Sequence, residues 1–284
     1  MVELAEKLER IYRIFPWPED LSSPTVNKRL DEAYKVFKDL LDHPWLKDLL
    51  EERKNRDLIV IDICGGAGIG GIALAKALMD KGLGVKLIVN DLRITALEKA
   101  RRYAKQILGI EIETLIEDAL KLHEHNIRAD LALIYGLTTP HFNPYQMVTL
   151  IASIAWILKP NGILLVEEHD RIYQIFYRIG YKQVLAEYAG EDRIALSIHA
   201  GYNPLTGVFK RVFLDIPSME RVLADVRFWD IAGVAATLWI FFEDVDFKPT
   251  RTQIRGILIA KKPRGINPRD YTMLPTIVKG SQQT

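Results

Sequence analysis

The chain has 284 residues, of which 49% are apolar and 26% are charged, and 38 Lys and Arg nearly balance 37 Asp and Glu. This length can bury a full core, and the composition excludes an intrinsically disordered chain. The formal net charge of +1 disfavours bulk electrostatic binding to nucleic acid. Cys64 is the single cysteine, which excludes an intrachain disulfide and a cysteine-rich zinc site. We expect no metal.

The first 57 residues predict helices and no strand. Apolar side chains repeat at helical spacing over 30–41, and prolines such as Pro24 divide the segment. No signal peptide precedes it, and the longest uncharged run, 131–158, is interrupted by prolines. We therefore expect a cytoplasmic protein without a membrane span.

From residue 58 onward, short apolar strands alternate with helices. The glycine-rich turn after the first strand leads into a helix, and the second strand repeats this arrangement. Such alternation predicts a parallel sheet with helices on both faces. The predicted strands are 58–62, 86–90, 111–116, 130–135 and 162–168.

After residue 168 the alternation stops. A helix-like stretch is followed by a predicted hairpin of 193–200 and 207–216, and residues 218–229 predict another helix. Two strand-like segments, 236–247 and 254–263, predict an antiparallel pair at the sheet edge. The expected fold is a doubly wound, mostly parallel seven-stranded α/β sheet. Its additions are an antiparallel terminal strand pair, a helical N-terminal cap and an inserted helix-plus-hairpin lid.

The turn after the first strand carries a nucleotide-binding spacing. Gly66, Gly68 and Gly71 satisfy G-x-G-x-x-G, which lets a backbone approach a ligand closely and opens a helix with free N–H groups. Asp91 follows Gly71 by 20 residues, at the end of the second strand, where an acid binds ribose hydroxyls. On spacing alone, NAD and other adenosine ligands fit equally.

The residues around this turn narrow the choice. Asp62 precedes Gly66 by four positions, Asp91 and Asp118 follow the next two strands, and Leu-Lys-Pro-Asn-Gly fills 158–162. In this order they resemble the class I S-adenosylmethionine-dependent methyltransferases over residues 58–168, and the terminal strand pair matches that family's reversed last hairpin. The family's first glycine is replaced here by Cys64, a small residue that still permits the turn.

The resemblance implies an adenosine site. Asp91 would accept hydrogen bonds from the ribose hydroxyls of S-adenosyl-L-methionine, and Leu92 would pack on the adenine. Asp118 would receive the adenine amino group, and Ala119 would supply a backbone N–H. A structural role is open for two of these residues, since Asp91 or Asp118 could equally cap a helix.

The same resemblance implies a methionine site at the glycine-rich turn. Gly66 and Gly68 would let the loop, including Cys64, pass under the methionine part, and Asp62 would lie near its amino group. The residues expected to border the sulfonium and the methyl acceptor are Tyr135 and Gly136.

Candidate catalytic residues follow the fourth and fifth strands, because ligands bind at the carboxyl ends of strands in such sheets. His141 and His169 are the candidate general bases, since imidazole titrates near neutral pH. Each could instead bind substrate or be a plain loop residue. Glu167 and Glu168 point to opposite faces, so one of them is expected at the site, and Glu168 is the acidic candidate.

We expect three parts: a cap at 1–57, a cofactor-binding domain at 58–263 with a lid at 171–215, and a basic tail at 264–284. The cap is expected to close over the cofactor, with three aromatic candidates for contact: Tyr12, Trp17 and Tyr34.

The leading hypothesis is a methyltransferase that acts on a small molecule. Residues 248–284 hold eight Lys or Arg against one acid, which keeps an RNA or protein substrate open. Packing of this tail on a neighbouring subunit, in a homo-oligomer, is the alternative role. An NAD-dependent oxidoreductase and a cofactor-binding protein without catalysis complete the alternatives.

Overall fold

The computed structural model describes residues 2–15, 19–190 and 193–279. The helices are α1 (Val2–Ile14), α2 (Pro24–Leu40), α3 (Pro44–Glu52), α4 (Ile69–Met79), α5 (Ile94–Leu108), α6 (Pro144–Ile157), α7 (Ile231–Phe241) and α8 (Thr276–Lys279). The strands are β1 (Leu58–Ile63), β2 (Val85–Asn90), β3 (Glu113–Leu115), β4 (Ala129–Ile134), β5 (Leu158–His169), β6 (Val184–Ala189), β7 (Ile194–Asn203), β8 (Val208–Asp215), β9 (Arg221–Val226), β10 (Phe242–Thr252) and β11 (Arg255–Pro263). No helix among these residues is long and apolar enough to cross a membrane.

The larger sheet has seven strands in the order β10-β11-β5-β4-β1-β2-β3. Strands β1 to β5 are mutually parallel, and β11 is antiparallel to both β5 and β10. This arrangement confirms the predicted doubly wound α/β fold with a reversed terminal pair. The chain runs from β1 to β2 and β3 on one side and then crosses back to β4 on the other side of β1. Ligands in such folds bind outside the carboxyl ends of the strands at this switch point.

Both faces of this sheet are covered by apolar helices. On one face, α4 packs with α2 and α5, and Phe37 of α2 is fully buried. On the other face, α6 and α7 enclose a second cluster around Phe241. The N-terminal cap therefore shares the main hydrophobic core. Burial of a Phe side chain contributes about 1.5–3 kcal/mol, so this packing holds the cap firmly.

The lid differs from the prediction. It is a four-stranded antiparallel sheet in the order β6-β7-β8-β9, named here the second sheet. The predicted hairpin corresponds to β7 and β8, but the helix predicted over 218–229 is wrong, because β9 occupies Arg221–Val226. Val222 and Ala224 are buried while their neighbours are exposed, which is the alternation of a strand. The helix-like stretch after residue 170 is a single π turn at Tyr173–Arg178, followed by β6.

The predicted strand at 236–247 begins as a helix. Helix α7 continues to Phe241, and Val234, Leu238 and Phe241 form its buried face at helical spacing. Strand β10 starts only at the next residue. The helix before the sixth strand of the sheet is therefore α7, and it follows the second sheet directly.

Helix α1 joins the second sheet to the main domain. Ile11 and Ile14 pack in one apolar cluster with Ala195 and Val222 of the second sheet. At the polar edge of this contact, Arg13 Nη2 lies 2.8 Å from Glu220 Oε1. The contacts place α1 above the carboxyl ends of the parallel strands.

Candidate active site

The glycine loop, residues 64–68, connects β1 to α4. Cys64, Gly66 and Gly68 have φ of 53°, 57° and 75°, the left-handed region that glycine favours. The Gly65 N–H donates to the Asn90 carbonyl at 2.9 Å, which fixes the loop against β2. The loop therefore exposes backbone at the switch point, and Cys64 adopts the left-handed conformation in place of a glycine.

Asp62 lies beneath this loop and is 1% exposed. Its Oδ2 accepts a hydrogen bond from the Gly71 N–H at 2.8 Å, near the start of α4. Its Oδ1 is buried and has no hydrogen-bond partner among the described residues. Burial raises the pKa of Asp62 to about 7, and the Gly71 hydrogen bond opposes the rise. A cationic ligand nearby would stabilise the carboxylate.

Asp91 connects the end of β2 to the glycine loop. Its Oδ2 accepts the Gly66 N–H at 2.8 Å, and its Oδ1 accepts the Arg93 N–H at 2.9 Å. Burial raises the pKa of Asp91, while Arg93 opposes the rise. The helix N-cap position belongs to Arg93, so Asp91 does not serve as the cap of α5.

Asp118 combines the two roles that the sequence left open. Its Oδ1 accepts the Leu120 N–H at 3.0 Å and caps a short 3₁₀ helix, Ala119–Glu124. Asp118 and Ala119 also line the cavity that contains Asp91 and Leu92. The capping bond uses one carboxylate oxygen and leaves the side chain at the cavity wall.

A cavity of about 440 Å³, named here the main cavity, extends from the glycine loop to the second sheet. Its walls come from α1, the ends of β1 and β2, the segment after β4, the second sheet and the C-terminal segment. The lining residues on the cofactor side include Cys64, Asp91, Leu92, Asp118 and Ala119, and those on the far side include Lys7, Thr206, Lys210, Asp225 and Val278.

Tyr135 and Gly136 border a second, narrower space of about 30 Å³ beside the glycine loop. A Cβ added to Gly70 would lie 2.7 Å from the Tyr135 Cβ, so only glycine allows this approach of α4. The Gly136 N–H donates to Glu167 Oε2 at 2.9 Å, and Arg255 pairs with the other oxygen at 2.6 Å. Glu167 thus holds the segment after β4, a role that the sequence did not assign.

His141 faces the main cavity. Its Nε2 lies 3.5 Å from the Tyr12 hydroxyl of α1. His141 is exposed toward the open cavity, and the protein atoms around it lower its pKa through partial loss of solvation, to which the charges of Arg171 and Arg93 add. The imidazole is therefore neutral at physiological pH and has one nitrogen free of a proton.

The other two catalytic candidates lie away from both spaces. Glu168 is fully buried, and its Oε1 accepts hydrogen bonds from Arg171 Nη1 at 2.5 Å and from the His169 N–H at 2.9 Å. His169 ends β5, opposite Arg255 of β11. Neither residue lines the main cavity or the narrow space. Of the three candidates, the structure brings only His141 to the cofactor side.

The cap contributes one of its aromatic candidates, Tyr12, and two residues that the sequence did not single out. Tyr12 lines both spaces, whereas Tyr34 donates to Asp80 on the outer side of α4. Trp17 lies outside the described residues. Glu19 and Arg29 line the narrow space. No local pattern marks these two, because tertiary folding alone brings them to the narrow space.

These residues fit S-adenosyl-L-methionine. The unpartnered Asp62 oxygen suits a cation, the left-handed glycines carry no side chain that would keep a ligand from the loop backbone, and Asp91 presents a carboxylate at the end of β2 where ribose binds. Among the described residues, no three His, Cys, Asp or Glu side chains group as a metal site.

Comparison with known proteins agrees with this geometry. Residues 60–162 match the family model described as "Methyltransferase domain". No curated protein matches the sequence.

Three solved structures illustrate the similarity of fold. The PH0226 protein from Pyrococcus horikoshii OT3 has a TM-score of 0.59 at 18% identity, covering 89% of this chain and 98% of that one. An S-adenosylmethionine-dependent methyltransferase from Clostridium acetobutylicum ATCC 824 has a TM-score of 0.57 at 13% identity, covering 81% and 92%. SAM-bound CalS10, an amino pentose methyltransferase from Micromonospora echinaspora, has a TM-score of 0.52 at 14% identity, covering 82% and 91%.

Residues 60–162 are thus a methyltransferase domain, and the sheet order and the glycine loop are those of the class I S-adenosylmethionine-dependent methyltransferase fold. Its cofactor is S-adenosyl-L-methionine. The NAD alternative, which the glycine spacing had left open, is thereby set aside.

Proposed function

We propose that this methyltransferase acts on a small polar molecule held in the main cavity. The observation that carries the proposal is the position of that cavity. It begins at Asp91 and Ala119 and continues between α1, β8 and β9 toward Val278 of α8. Its volume of about 440 Å³, which the adenosine end of the cofactor would share at Asp91 and Ala119, lies within the range of small-molecule sites. CalS10, which shares the fold, methylates an amino pentose, and this supports an acceptor of similar size.

The cavity wall offers an acceptor polar groups at its far end. Lys7 of α1 and Lys210 of β8 bring positive charge, and Asp225 of β9 lies opposite Lys210 in the strand register. Thr206 adds a hydroxyl, and Val208 adds an apolar surface. A small molecule with hydroxyl, amino or anionic groups can therefore be oriented at several points.

The bound cofactor would supply an electrophilic methyl group on its sulfonium. Asp62, Asp91 and Asp118 would hold its two halves. His141 would then accept a proton from the methyl acceptor. When Nε2 carries the imidazole proton and donates it to the Tyr12 hydroxyl oxygen, Nδ1 is left with a lone pair for an acceptor N–H or O–H.

The macromolecular alternative has less support. Much of the basic C-terminal region is engaged within the chain: Lys248 lies 2.8 Å from Asp39, and Arg255 pairs with Glu167. Residues 255–263 form a strand inside the large sheet, and Val278 is 3% exposed. Several basic side chains of this region are therefore engaged by the domain itself, while Arg269 and Lys279 are exposed.

The proposal is tested by narrowing the main cavity. Thr206→Trp places a large ring in the cavity, whereas Leu205→Trp places the same ring on an exposed neighbour outside it. Both variants and the native enzyme are incubated with S-adenosyl-L-methionine and a panel of aminopentoses, aminohexoses and polyols. Formation of S-adenosylhomocysteine is measured. Transfer RNA and histone serve as macromolecular acceptors.

We expect turnover with a small molecule that Thr206→Trp abolishes and Leu205→Trp retains, with cofactor affinity equal in both. Methylation of the RNA or histone by all three enzymes, without turnover of small molecules, would overturn the proposal.

A further inference from the structure

A buried ion pair lies between the N-terminal cap and the glycine loop. Arg93 Nη2 donates to Glu19 Oε1 at 2.6 Å, and Lys99 Nζ lies 3.6 Å from the other Glu19 oxygen. The Arg93 and Glu19 side chains are only 4% and 11% exposed. The Arg93 guanidinium also lies over the Tyr12 ring, 4.1 Å from its centroid. These contacts form a compact polar cluster at the edge of the cofactor site.

This cluster lies against the loop on the side where a cofactor must approach. A Cβ added to Gly66 would lie 2.8 Å from Arg93 Nη2 and 3.2 Å from Glu19 Oε1. The narrow space of about 30 Å³ beside the loop has Glu19, Arg29 and Arg93 in its wall. Because Arg93 Nη2 and Glu19 Oε1 lie over Gly66 at these distances, a ligand that approaches this glycine must displace part of the cluster.

The narrow space offers opposite charges at its boundary. Glu19 of the cap and Arg29 of α2 both line it, as do Tyr135 and Gly136. Burial lowers the pKa of Arg29, and the negative charge of Glu19 is among the influences that oppose the change. An anion bound beside Arg29 would further stabilise its guanidinium. The space therefore suits a zwitterion, with its ammonium toward Glu19 and its carboxylate toward Arg29.

We propose that Glu19 and Arg29 bind the α-ammonium and α-carboxylate of the cofactor's methionine end, and that Glu19 exchanges Arg93 for that ammonium. The proposal rests on the cofactor assignment given above. It assigns two residues of the N-terminal cap to cofactor binding. The ion pair between Glu19 and Arg93 breaks when the cofactor binds.

The backbone around Glu19 is held in place for such an exchange. The Tyr103 hydroxyl of α5 donates to the Glu19 carbonyl at 2.9 Å and accepts the Leu21 N–H at 3.3 Å. These two bonds fix the backbone, so rotation of the Glu19 side chain alone would be enough to move its carboxylate from one cation to the other.

The test compares two ligands by isothermal titration calorimetry. S-adenosylhomocysteine carries the amino-acid end, and 5′-methylthioadenosine carries the adenosine thioether without it. Glu19→Gln and Arg29→Met should each weaken S-adenosylhomocysteine at least about tenfold, the worth of one charged hydrogen bond, and change 5′-methylthioadenosine less than about twofold. Arg29→Lys, which keeps the charge, should restore part of the loss.

Adjacent exposed residues provide matched controls. Asp20→Asn and Lys28→Met make the same chemical changes one position away and should leave both affinities unchanged. Thermal unfolding verifies that each variant is folded.

The outcomes separate the two levels of inference. Equal weakening of both ligands by Glu19→Gln and Arg29→Met would make their roles structural and overturn the proposal, as would no weakening of either. A native protein that binds neither ligand would instead contradict the cofactor assignment itself, and the proposal would fall with it.

Discussion

The Asp91 carboxylate accepts the N–H of Gly66 at 2.8 Å, so the acid at the end of β2 and the second glycine of the loop form one unit. This bond leaves the second carboxylate oxygen to the Arg93 backbone N–H and side chain, at 2.9 Å and 3.3 Å. Asp91 consequently has two tasks: it shapes the loop, and it presents negative charge where ribose hydroxyls bind.

Two substitutions at Asp91 should separate these tasks. Asp91→Asn keeps an oxygen for the Gly66 N–H, whereas Asp91→Ala removes it. Asp91→Ala should weaken S-adenosyl-L-methionine by about 1–3 kcal/mol and also lower the unfolding temperature. Asp91→Asn should lower affinity with a smaller change in unfolding temperature. Calorimetry and thermal unfolding measure the two effects, and Asp57→Ala, at the opposite end of β1, is the control. Unchanged affinity in both Asp91 variants would contradict the assigned ribose site.

Asp62 should release a proton when the cofactor binds. Its pKa is raised to about 7 by burial, so near pH 6 the free enzyme holds it protonated. The positively charged cofactor favours the carboxylate and lowers that pKa. Affinity should therefore rise between about pH 6 and pH 8. Calorimetry near pH 6, in buffers of different ionisation enthalpy, should detect proton release that disappears in Asp62→Asn. Equal release in that variant would assign the proton to another group.

His141 should make the stability of the protein fall as pH falls below neutral. Its pKa is lowered in the folded protein, so the unfolded chain binds the proton more readily. The stability that it contributes is complete above its ordinary pKa near 6.5 and is lost as pH falls toward the lower folded value. Thermal unfolding from about pH 7.5 to pH 5 should show a shallower decline for His141→Gln than for the native protein. His123→Gln, on the 3₁₀ helix after Asp118, is the control; identical slopes for all three proteins would contradict the prediction.

The central sheet could be predicted because its strands are short buried runs ended by glycines and acids. The order of Asp62, Asp91 and Asp118 also placed three carboxylates at one edge, and the structure brings Asp91 and Asp118 to one cavity with Asp62 beneath the adjacent loop. The sequence predicted a helix where β9 lies and a strand where α7 ends, and both errors have a physical reason. Arg-Val-Leu-Ala-Asp-Val at 221–226 contains apolar residues at spacings that suit either period, and 238–242 is continuously apolar, so neither period dominates in either segment.

The contribution of the cap could not be predicted from local pattern. The Glu19–Arg93 bond joins residues 74 positions apart, and its geometry depends on α1 packing against a sheet that the sequence had assigned as a helix and a hairpin. The role of Glu167 could not be predicted either. Strand alternation indicates that Glu167 and Glu168 point to opposite faces of the sheet, but it does not indicate which face lies at the site. Tertiary contacts decided both.

Gly66→Ala should damage cofactor binding more than folding. An alanine there must adopt a φ of 57° and would also bring its Cβ within 2.8 Å of Arg93 Nη2. Gly82→Ala supplies the matched control, since Gly82 has a φ of +83° and nothing within 4 Å of an added Cβ. Both variants should therefore lose about 1 kcal/mol or more of stability to the left-handed backbone.

Only Gly66→Ala should weaken S-adenosyl-L-methionine as well, because its methyl group occupies the approach to the loop and displaces the Arg93–Glu19 pair. Urea unfolding gives the stability of each variant, and calorimetry gives the cofactor affinity. Loss of affinity in Gly82→Ala to the same degree would mean that backbone strain, and not the space above the loop, controls binding. Full affinity in Gly66→Ala would place the cofactor away from Gly66.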